Sequence, residues 1–260
     1  MKEKEAIINY LKRRGLFSFA PKAALIDMDG TLYDSMPRHA EAWFRMMSEV
    51  GINCTREEFY LYEGRTGAST INLLFEREFG RKATEEECVR LYKKKTEYFN
   101  QMSKAPVMPG SKKMVDEFLS RDITTVLVTG SGQHSLLDRL ANDFPGAFGE
   151  GRCVTSRDVT HGKPHPEPFL KGMELAGVLP ENAIAVDNAP MGVISAAASG
   201  AFTVGVTTGP VASGASANAK SDRVLTAQDL WDAGADIVYD SMPEFAERLP
   251  LLLDVFKTSI

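Results

Sequence analysis

The sequence predicts an α/β fold, a doubly wound parallel sheet whose first strand is followed by a long helical insertion. Short apolar runs alternate with helix-length segments along most of the chain, which is the pattern of parallel strands connected by helices. One long stretch after the first run lacks strand patterns, and a segment containing Pro and Gly marks the return of the alternation. The predicted strands are 23–26, 124–128, 152–154, 183–186, 202–206 and 236–239.

The insertion is predicted to be entirely helical. Apolar residues recur at helical spacing around Trp43, Leu73 and Leu91. The segment 105–110, Ala-Pro-Val-Met-Pro-Gly, then ends the helical pattern. We therefore expect this part of the chain to form helices that pack on one another.

Two structural units follow from this pattern. We expect residues 1–34 and 106–260 to form the α/β core domain and residues 35–105 to form a helical cap domain. Within the core, residues 1–20 are expected to add an N-terminal helix, because their apolar residues lie at helical spacing. Since the insertion leaves the core beside the end of the first strand, it is placed to cover that end, exclude water and select substrates.

Composition and charge argue against several classes of protein. The net charge of −5 at pH 7 provides no basic field for nucleic acid or anionic lipid. No apolar stretch approaches the ~20 residues that a membrane span requires. Cys54, Cys88 and Cys153 lack CxxC spacing and are interpreted as reduced thiols. We expect a cytoplasmic protein, a monomer, without nucleic-acid or membrane partners.

The most informative residues follow the first predicted strand, in the run Asp27-Met28-Asp29-Gly30-Thr31. Two carboxylates lie two residues apart at the strand end, where α/β sheets bind ligands, and Gly30 allows a sharp turn. Such a pair can bind Mg²⁺ while one carboxylate attacks phosphorus and the other moves a proton. The alternative is an ordinary Asp-Gly turn.

The second long strand ends in Thr129, Gly130 and Ser131. A hydroxyl and a Gly-rich turn that leads into a helix can bind a phosphoryl group through the hydroxyl and the turn N–H groups. A plain turn with a helix N-cap is the competing interpretation.

Lys163 lies in a loop with three prolines, within the run His161-Gly-Lys-Pro-His165-Pro-Glu-Pro. A lysine held by such a loop can serve as a fixed cation for a nucleophile and a phosphate, whereas an unconstrained lysine is usually a solvated surface charge. The two histidines are interpreted as loop residues, because no Cys or third His accompanies them. A further strand ends in Asp187 and Asn188, whose oxygens can complete a metal site that begins at Asp27.

These motifs, in this order, resemble those of the haloacid dehalogenase superfamily. The chain has Asp-x-Asp-Gly-Thr at 27–31, a strand ending in Thr129, Gly-Lys-Pro at 162–164 and Asp-Asn-x-Pro-x-Gly at 187–192. The helical insertion resembles the C1 type of cap on a Rossmann-like core, and the details resemble the β-phosphoglucomutase-like subgroup. The resemblance covers about residues 22 to 245.

The resemblance implies a role for each residue. Asp27 is implied to be the nucleophile that forms an aspartyl-phosphate, and Asp29 the general acid and base. Thr129 is implied to bind the transferring phosphoryl group, and Lys163 to neutralise charge beside Asp27. Mg²⁺ is implied as cofactor, held by Asp27, by the main-chain carbonyl of Asp29 and by a side chain of the pair formed by Asp187 and Asn188. A second Asp suits a leaving oxygen that needs a proton, so the motif favours phosphoryl transfer over dehalogenation.

Two departures from the subgroup concern the metal and the substrate. The fourth motif usually ends in two acids, but here the second is Asn188, so the site has one negative charge fewer. In the cap loop, the mutases of the subgroup carry a Lys before a Gly and an Arg three residues after it, where this chain has Glu63 and Gly67. The cap-side candidates for substrate binding are His39, Glu63, Gly64, Arg65, Thr66 and Lys95; those of the core are Gly130 and Ser131.

Together the departures suggest a hypothesis about substrate choice. On cap closure, Glu63 is expected to reach the metal region, tethered by Lys95, and to replace the charge lost at Asn188. The pocket would then suit a small chelated substrate such as pyrophosphate, as in the inorganic pyrophosphatase branch of the subgroup. The alternative is that Glu63 caps a helix or pairs with Arg65 at the surface.

The predicted function is therefore a Mg²⁺-dependent phosphohydrolase acting on a small phosphorylated metabolite through an aspartyl-phosphate, with pyrophosphate as one candidate. A β-phosphoglucomutase that interconverts β-glucose 1- and 6-phosphates is the enzymatic alternative. A catalytically silent, phosphate-dependent binding protein is the alternative of another class. Retention of all four catalytic candidates argues against a silent protein, whereas Asn188 is the one feature in its favour.

Overall fold

The computed structural model describes residues 2–131, 134–208 and 225–257. Its sheet has six strands, all parallel: β1 Ala23–Ile26, β2 Thr124–Val128, β3 Cys153–Val154, β4 Ala183–Asp187, β5 Phe202–Val206 and β6 Ile237–Tyr239. The six predicted strands are confirmed to within one residue at each end. None of the described helices is both long enough and apolar enough to cross a membrane.

The helices of the core alternate with these strands. They are α1 Lys2–Arg14, α6 Ser111–Ser120, α7 His134–Asp143, α8 Glu167–Ala176, α9 Pro190–Ser199, α10 Ala227–Asp232 and α11 Met242–Lys257. Helices α1, α6 and α11 pack on one face of the sheet, and α8, α9 and α10 on the other. The predicted doubly wound α/β fold is therefore confirmed.

The strand order is β3-β2-β1-β4-β5-β6, so the chain reverses its direction of travel across the sheet between β1 and β4. Ligands of open α/β sheets bind beyond the carboxyl ends of the strands at such a reversal. The register places Ile26 beside both Leu127 and Val186, so β1, β2 and β4 end at the same level. Residues that directly follow these three strands are thereby brought together.

The strands β1, β2 and β4 are apolar because the sheet is covered on both faces. All four residues of β1 and all five of β4 are buried. Fully buried parallel strands require runs of apolar side chains rather than alternation, which is why the sequence pattern identified them.

Four helices lie between β1 and the rest of the core: α2 Met36–Glu49, α3 Glu58–Leu61, α4 Gly67–Phe79 and α5 Glu85–Gln101. They share an apolar cluster that includes Trp43, Met46, Phe59 and Leu74. Thr84 and Glu87 form a capping box at the start of α5. The short helix α3 was not predicted, since four residues are too few for a periodic pattern.

The N-terminal helix α1 packs against α11 and β6. Its buried face includes Ile7, Tyr10 and Leu11, as expected for an amphipathic helix, whereas Ile8 is only partly buried. The Tyr10 hydroxyl donates to the Gly200 carbonyl at 2.9 Å. This helix lies on the core and contributes no side chain to the strand ends described below.

Candidate active site

The centre of the site is a buried lysine between two carboxylates. Asp27 continues β1, since its N–H donates to the Val186 carbonyl at 3.0 Å. Lys163 Nζ lies 2.5 Å from Asp27 Oδ1 and 2.7 Å from Asp187 Oδ2. All three side chains are at most 8% exposed. The cation is therefore fixed beside the first residue after β1, as the sequence predicted from the proline-rich loop.

The charges around Lys163 and Asp27 shift the pKa values of both groups. Burial disfavours the Lys163 ammonium, but the Asp187 and Asp27 carboxylates outweigh it and raise the Lys163 pKa. Burial raises the pKa of Asp27, and Lys163 opposes that shift. Asp187 uses Oδ2 for Lys163 and accepts the Ala189 N–H at Oδ1, 3.0 Å away. Asp187 therefore orients Lys163 with one oxygen and the loop after β4 with the other.

Asp29, the second carboxylate of the motif, is bound by a chain of donors from the cap. Ser35 Oγ donates to Asp29 Oδ1 at 2.5 Å, and His39 Nε2 lies 2.9 Å from the same oxygen. Lys95 Nζ lies 2.7 Å from His39 Nδ1. Burial raises the pKa of Asp29, but the charges and hydrogen bonds of these partners outweigh it and lower the value to about 2. Asp29 is therefore oriented by helices α2 and α5.

Lys95 crosses the cap interior to reach His39. Its side chain is buried among the rings of Trp43, Tyr92 and Phe99, whose centroids are 5.2 to 5.6 Å from Nζ. Burial lowers the Lys95 pKa to about 7, which Asp29 partly opposes. The predicted tether between Lys95 and Glu63 is wrong: Lys95 binds His39, and Glu63 binds another residue.

Glu63 lies over the end of β4. Its Oε1 accepts a hydrogen bond from Asn188 Nδ2 at 3.0 Å, and the residue is 9% exposed. Asn188 Oδ1 accepts a hydrogen bond from the Thr31 hydroxyl, also at 3.0 Å. The alternative surface position of Glu63 is thus wrong, and the predicted approach of Glu63 to Asn188 is present.

Gly30 is required for this arrangement. It has a φ of +80°, and a Cβ there would lie 2.2 Å from Asn188 Nδ2 and 2.7 Å from Glu63 Oε1. A side chain would therefore strain the backbone and displace both groups. The glycine that the sequence identified as a turn residue also makes room for the contact between core and cap.

The cap loop 62–67 is docked on two loops of the core. A Cβ at Gly130 would lie 2.8 Å from the Gly64 carbonyl oxygen, and one at Gly64 would lie 3.5 Å from Lys163 Cδ. Thr66 caps α4 by accepting the Ser69 N–H, and its methyl group lies against Gly162. The loop therefore covers the strand ends.

The end of β2 supplies a hydroxyl and a turn. Thr129 is 3% exposed, and its Oγ1 accepts the Ser131 N–H at 3.0 Å. Thr129, Gly130 and Ser131 all line the same cavity as Asp27 and Asp29. Gly132, which completes the predicted glycine-rich turn, lies outside the described residues.

The cavity between core and cap has a volume of about 70 Å³. Arg65 lines the cavity, and its Nη1 donates to Ser69 Oγ at 3.1 Å. Its Nε is buried and has no hydrogen-bond partner among the described residues. A buried N–H of this kind is ready to bind an anionic oxygen.

Four acidic residues line the cavity: Asp27, Asp29, Glu63 and Asp187. Such a cluster can bind a metal cation. Burial raises the Glu63 pKa well above its usual value, and the nearby Asp27, Asp187 and Asp29 raise it further. In the described part of the chain, Lys163 is the lysine that contacts two of the four carboxylates, those of Asp27 and Asp187. A set of carboxylate, amide and main-chain oxygens with excess negative charge fits Mg²⁺, which prefers oxygen ligands. The residues present therefore fit the cation that the sequence implied.

The fold brings together most of the residues singled out from sequence. Of the candidates, Gly64, Arg65, His39 and Lys95 line the cavity, whereas Thr66 lies at its edge against Gly162. The contact of Ser35 with Asp29 was not predicted, nor was the contact with Asn188 made by Thr31, a residue of the first motif. Ser35 directly precedes α2, where a serine is normally read as an N-cap, but its hydroxyl serves Asp29 instead of the helix.

Comparison with known proteins gives a consistent assignment. A family profile for haloacid dehalogenase-like hydrolases matches residues 21–200. A solved structure from Bacteroides vulgatus, described provisionally as a β-phosphoglucomutase, is 44% identical, with a TM-score of 0.90 over 99% of each chain. This match includes the helical insertion as well as the sheet.

Two characterised relatives have different activities. The β-phosphoglucomutase of Bacillus subtilis is 24% identical over 217 residues, which is 80% of this chain and 93% of its own. The pyrophosphatase PpaX of Oceanobacillus iheyensis is 26% identical over 176 residues, which is 67% of this chain and 78% of its own. Similarity of this degree therefore leaves the substrate to be argued from the site.

Proposed function

This chain belongs to the haloacid dehalogenase-like hydrolase family, and from that membership we propose that it is a Mg²⁺-dependent phosphohydrolase whose substrate is inorganic pyrophosphate. The observation that carries the choice of substrate is the Glu63 carboxylate, which lies in the cavity 3.0 Å from Asn188 Nδ2.

Asp27 is the nucleophile of the proposed reaction. Its carboxylate forms a bond to a terminal phosphorus, the bond from that phosphorus to the bridging oxygen breaks, and orthophosphate leaves. Lys163, 2.5 Å from Asp27 Oδ1, offsets the negative charge that gathers there. Thr129, beside it in the cavity, offers its hydroxyl to the transferring group.

Asp29 completes the reaction as the group that moves protons. Asp29 donates a proton to the bridging oxygen as its bond to phosphorus breaks, and it accepts a proton from the water that then hydrolyses the aspartyl-phosphate, which releases a second orthophosphate and restores both Asp27 and Asp29. Ser35 and His39 both bind Asp29 Oδ1, so proton transfer would use Oδ2. The cap therefore fixes the orientation of the acid and base.

Mg²⁺ would be held by the Asp27 carboxylate, the main-chain carbonyl of Asp29, Glu63 and the Asn188 side-chain oxygen, which would have to turn from the Thr31 hydroxyl towards the cation. When bound, the cation supplies positive charge that offsets the charge of the phosphoryl oxygens. Asn188 is neutral, and Glu63 brings the missing carboxylate from the cap, so the complete set of ligands would assemble only when the cap is docked. Asp187 binds Lys163 through one oxygen and the Ala189 N–H through the other, so we assign it the role of positioning Lys163.

The cavity itself favours a small, highly charged substrate. The cavity volume of about 70 Å³ is well below the ~300–1,000 Å³ of typical ligand pockets, which favours a small substrate while the cap is docked. Once a bound cation favours its ionised form, Glu63 would repel a phosphate that is not chelated, whereas a chelated pyrophosphate carries less net charge. The unpartnered Arg65 Nε offers a donor for the phosphate that is not transferred.

A β-phosphoglucomutase remains the second candidate, because the Bacteroides vulgatus protein described in that way is 44% identical to this chain. A mutase needs a group that grips the second phosphate of a bisphosphorylated sugar. Gly67 stands where the subgroup resemblance places an Arg for that purpose. Arg65 would have to replace it from a different position of the same loop.

The experiment is a phosphate-release panel with pyrophosphate and hexose phosphates side by side, each at several Mg²⁺ concentrations. We expect pyrophosphate to give the highest kcat/KM. A mutase is tested in parallel with β-glucose 1-phosphate and a bisphosphate primer, because a mutase conserves phosphate and a phosphatase releases it. Preferred turnover of hexose phosphates would contradict the proposal.

The variant that tests the role of Glu63 is Glu63→Lys, with Glu78→Lys as the matched control. Glu78 lies on α4 of the cap and is exposed, so the control makes the same change of charge away from the cavity. We expect Glu63→Lys to lower kcat/KM for pyrophosphate by roughly 10- to 100-fold and to raise the Mg²⁺ requirement, as loss of a metal-site group does. Unchanged pyrophosphate turnover and Mg²⁺ dependence would overturn this role.

A further inference from the structure

A second group of potential metal ligands lies outside the cavity, on the loop before α8. His161, His165 and Glu167 each offer one donor atom, and these atoms all lie within 4.8 Å of one another. We propose that these three residues bind a divalent transition metal such as Zn²⁺, at a site separate from the catalytic centre. The sequence favoured plain loop histidines because no third His or Cys was present, and the third donor is the Glu167 carboxylate.

The distances are close to those of a coordination shell. His161 Nδ1 lies 3.0 Å from Glu167 Oε2, and His165 Nδ1 lies 3.9 Å from the same oxygen. Two ligands of a tetrahedral zinc ion are about 3.3 Å apart, given bond lengths of about 2.0–2.2 Å. Small rotations of the two rings would therefore bring all three donors to bonding distance.

The carboxylate is held in place by the main chain around it. Glu167 is the first residue of α8, and its two oxygens accept the N–H groups of Thr160 at 2.6 Å and His161 at 2.9 Å. These bonds hold the pKa of Glu167 below its usual value, so the carboxylate is ionised at neutral pH. The central ligand is thus ordered before a metal arrives.

The histidines are available on the same side. The Glu167 N–H donates to His165 Nδ1 at 3.2 Å, so that nitrogen carries no proton, and a metal would replace this long hydrogen bond at its lone pair. The His165 carbonyl accepts the Ser195 hydroxyl at 2.6 Å, which ties the loop to α9. On metal binding the His161 ring proton would move from Nδ1 to Nε2, so a neutral ring need not lose a proton. Water would fill the remaining positions of the ion.

The donor set selects the class of metal. Two imidazoles and one carboxylate suit Zn²⁺, Ni²⁺ or Cu²⁺, whereas Mg²⁺ prefers oxygen ligands. The side chains of His161 and His165 are 63% and 51% exposed, so an ion can reach them without opening the cap. Lys163, between them in sequence, is buried, so the two sites lie on opposite sides of one loop.

The test is titration of the tag-free chain with Zn²⁺ in excess Mg²⁺, followed by calorimetry. On the proposed function, the excess Mg²⁺ would occupy the oxygen ligands of the catalytic centre and leave the imidazole site free for Zn²⁺. We expect one equivalent of Zn²⁺ to bind, and His161→Gln and His165→Gln each to weaken the affinity at least about tenfold. With Cu²⁺, electron paramagnetic resonance should show splitting from two ring nitrogens, and this splitting should be lost in the double variant.

The control is Glu174→Gln, an exposed glutamate further along α8, which should bind Zn²⁺ like the unmodified chain. Circular dichroism of the exposed histidine variants confirms that they fold. The proposal is overturned if the unmodified chain binds no Zn²⁺ in excess Mg²⁺, or if the double variant binds it with unchanged affinity and unchanged Cu²⁺ spectrum. Neither result would bear on pyrophosphate hydrolysis, since no proposed catalytic residue is altered.

Discussion

The core and the cap treat buried charge differently. In the core, Lys163 lies between Asp27 and Asp187 and offsets one of the two negative charges. In the cap loop, the Glu63 side chain binds the neutral amide of Asn188 in the same cavity, and burial raises its pKa well above the usual value. The core therefore holds a cation of its own, whereas Glu63 needs a cation from outside the chain to be ionised at neutral pH.

This difference indicates that the core carries out the reaction on any substrate, whereas the cap determines which substrate is preferred. The core arrangement depends on the ends of β1, β2 and β4, whose levels are set by the register of the sheet. The cap arrangement depends on docking of the loop 62–67, and it can change without disturbing the sheet. Substitutions in the core should thus abolish turnover of every substrate, and substitutions in the cap should change rate or selectivity.

The largest effect is expected for Asp27→Asn. The amide has nearly the same shape but cannot form an aspartyl-phosphate, so turnover of all phosphates should fall by at least about 10³-fold. Lys163 would still be paired with Asp187, so the fold should persist. Phosphate release and thermal unfolding are measured together. Residual turnover within tenfold of the unmodified enzyme would exclude Asp27 as nucleophile.

Lys163→Met is expected to affect both activity and stability. Removing the cation leaves Asp27 and Asp187 buried without it, and breaking one side of a buried ion pair costs roughly 3–5 kcal/mol. Turnover should fall by about 10²- to 10³-fold, as when one electrostatic group of a site is removed. Urea unfolding with and without Mg²⁺ is the measurement, and we expect Mg²⁺ to restore part of the stability. An unchanged midpoint would show that the two carboxylates do not depend on Lys163.

The core part of the site could be predicted from sequence more completely than the cap part. The residues Asp27, Thr129 and Asp187 were predictable because each directly follows an apolar run, and parallel strands bring their carboxyl ends to one edge. Lys163 was predictable from its rigid loop. Their geometry requires only the sheet, and the sheet is encoded by short local patterns.

The cap contacts could be predicted only in part. That Glu63 reaches Asn188 followed from a missing charge, but the partner of Lys95 did not. Lys95 and His39 lie on α5 and α2, and which polar groups meet inside a helical bundle depends on how the aromatic residues around them pack. The contact of Ser35 with Asp29 was not predicted, because a serine before a helix is usually explained as an N-cap.

Lys95→Met is expected to have a smaller effect, which lowers activity and raises stability. Methionine fills the space between the aromatic rings but cannot hold His39, so Asp29 loses an oriented donor and turnover should fall about tenfold. Because burial lowers the Lys95 pKa to about 7, the folded state disfavours the charged lysine, and the variant should be more stable at pH 7.

The pH dependence checks the sign of this stability change. An unfolded lysine stays protonated up to its usual pKa, whereas the folded one loses its proton near pH 7. The destabilisation by Lys95 is therefore largest at and below pH 7 and declines as the pH approaches 10.5. Urea unfolding of both proteins at pH 7 and pH 10 should show a gain from Lys95→Met that shrinks with pH. A gain that is constant or grows would contradict the burial of a charged group.

The smallest effect is expected for Gly130→Ala, which tests docking of the cap rather than chemistry. The added methyl would lie 2.8 Å from the Gly64 carbonyl oxygen, so the cap loop must move away by a few tenths of an ångström. Because catalysis depends steeply on position, we expect kcat for pyrophosphate to fall by about 3- to 10-fold, with little change in the unfolding midpoint. Gly162→Ala is the matched comparison, since its methyl meets the methyl group of the Thr66 side chain instead of main chain, and it should have the weaker effect. Equal losses in the two variants would mean that the rate is limited by the core loops and not by the main chain of the cap loop. A loss confined to Gly130→Ala would show that a single main-chain contact, between Gly130 and the Gly64 carbonyl, accounts for the difference between core and cap.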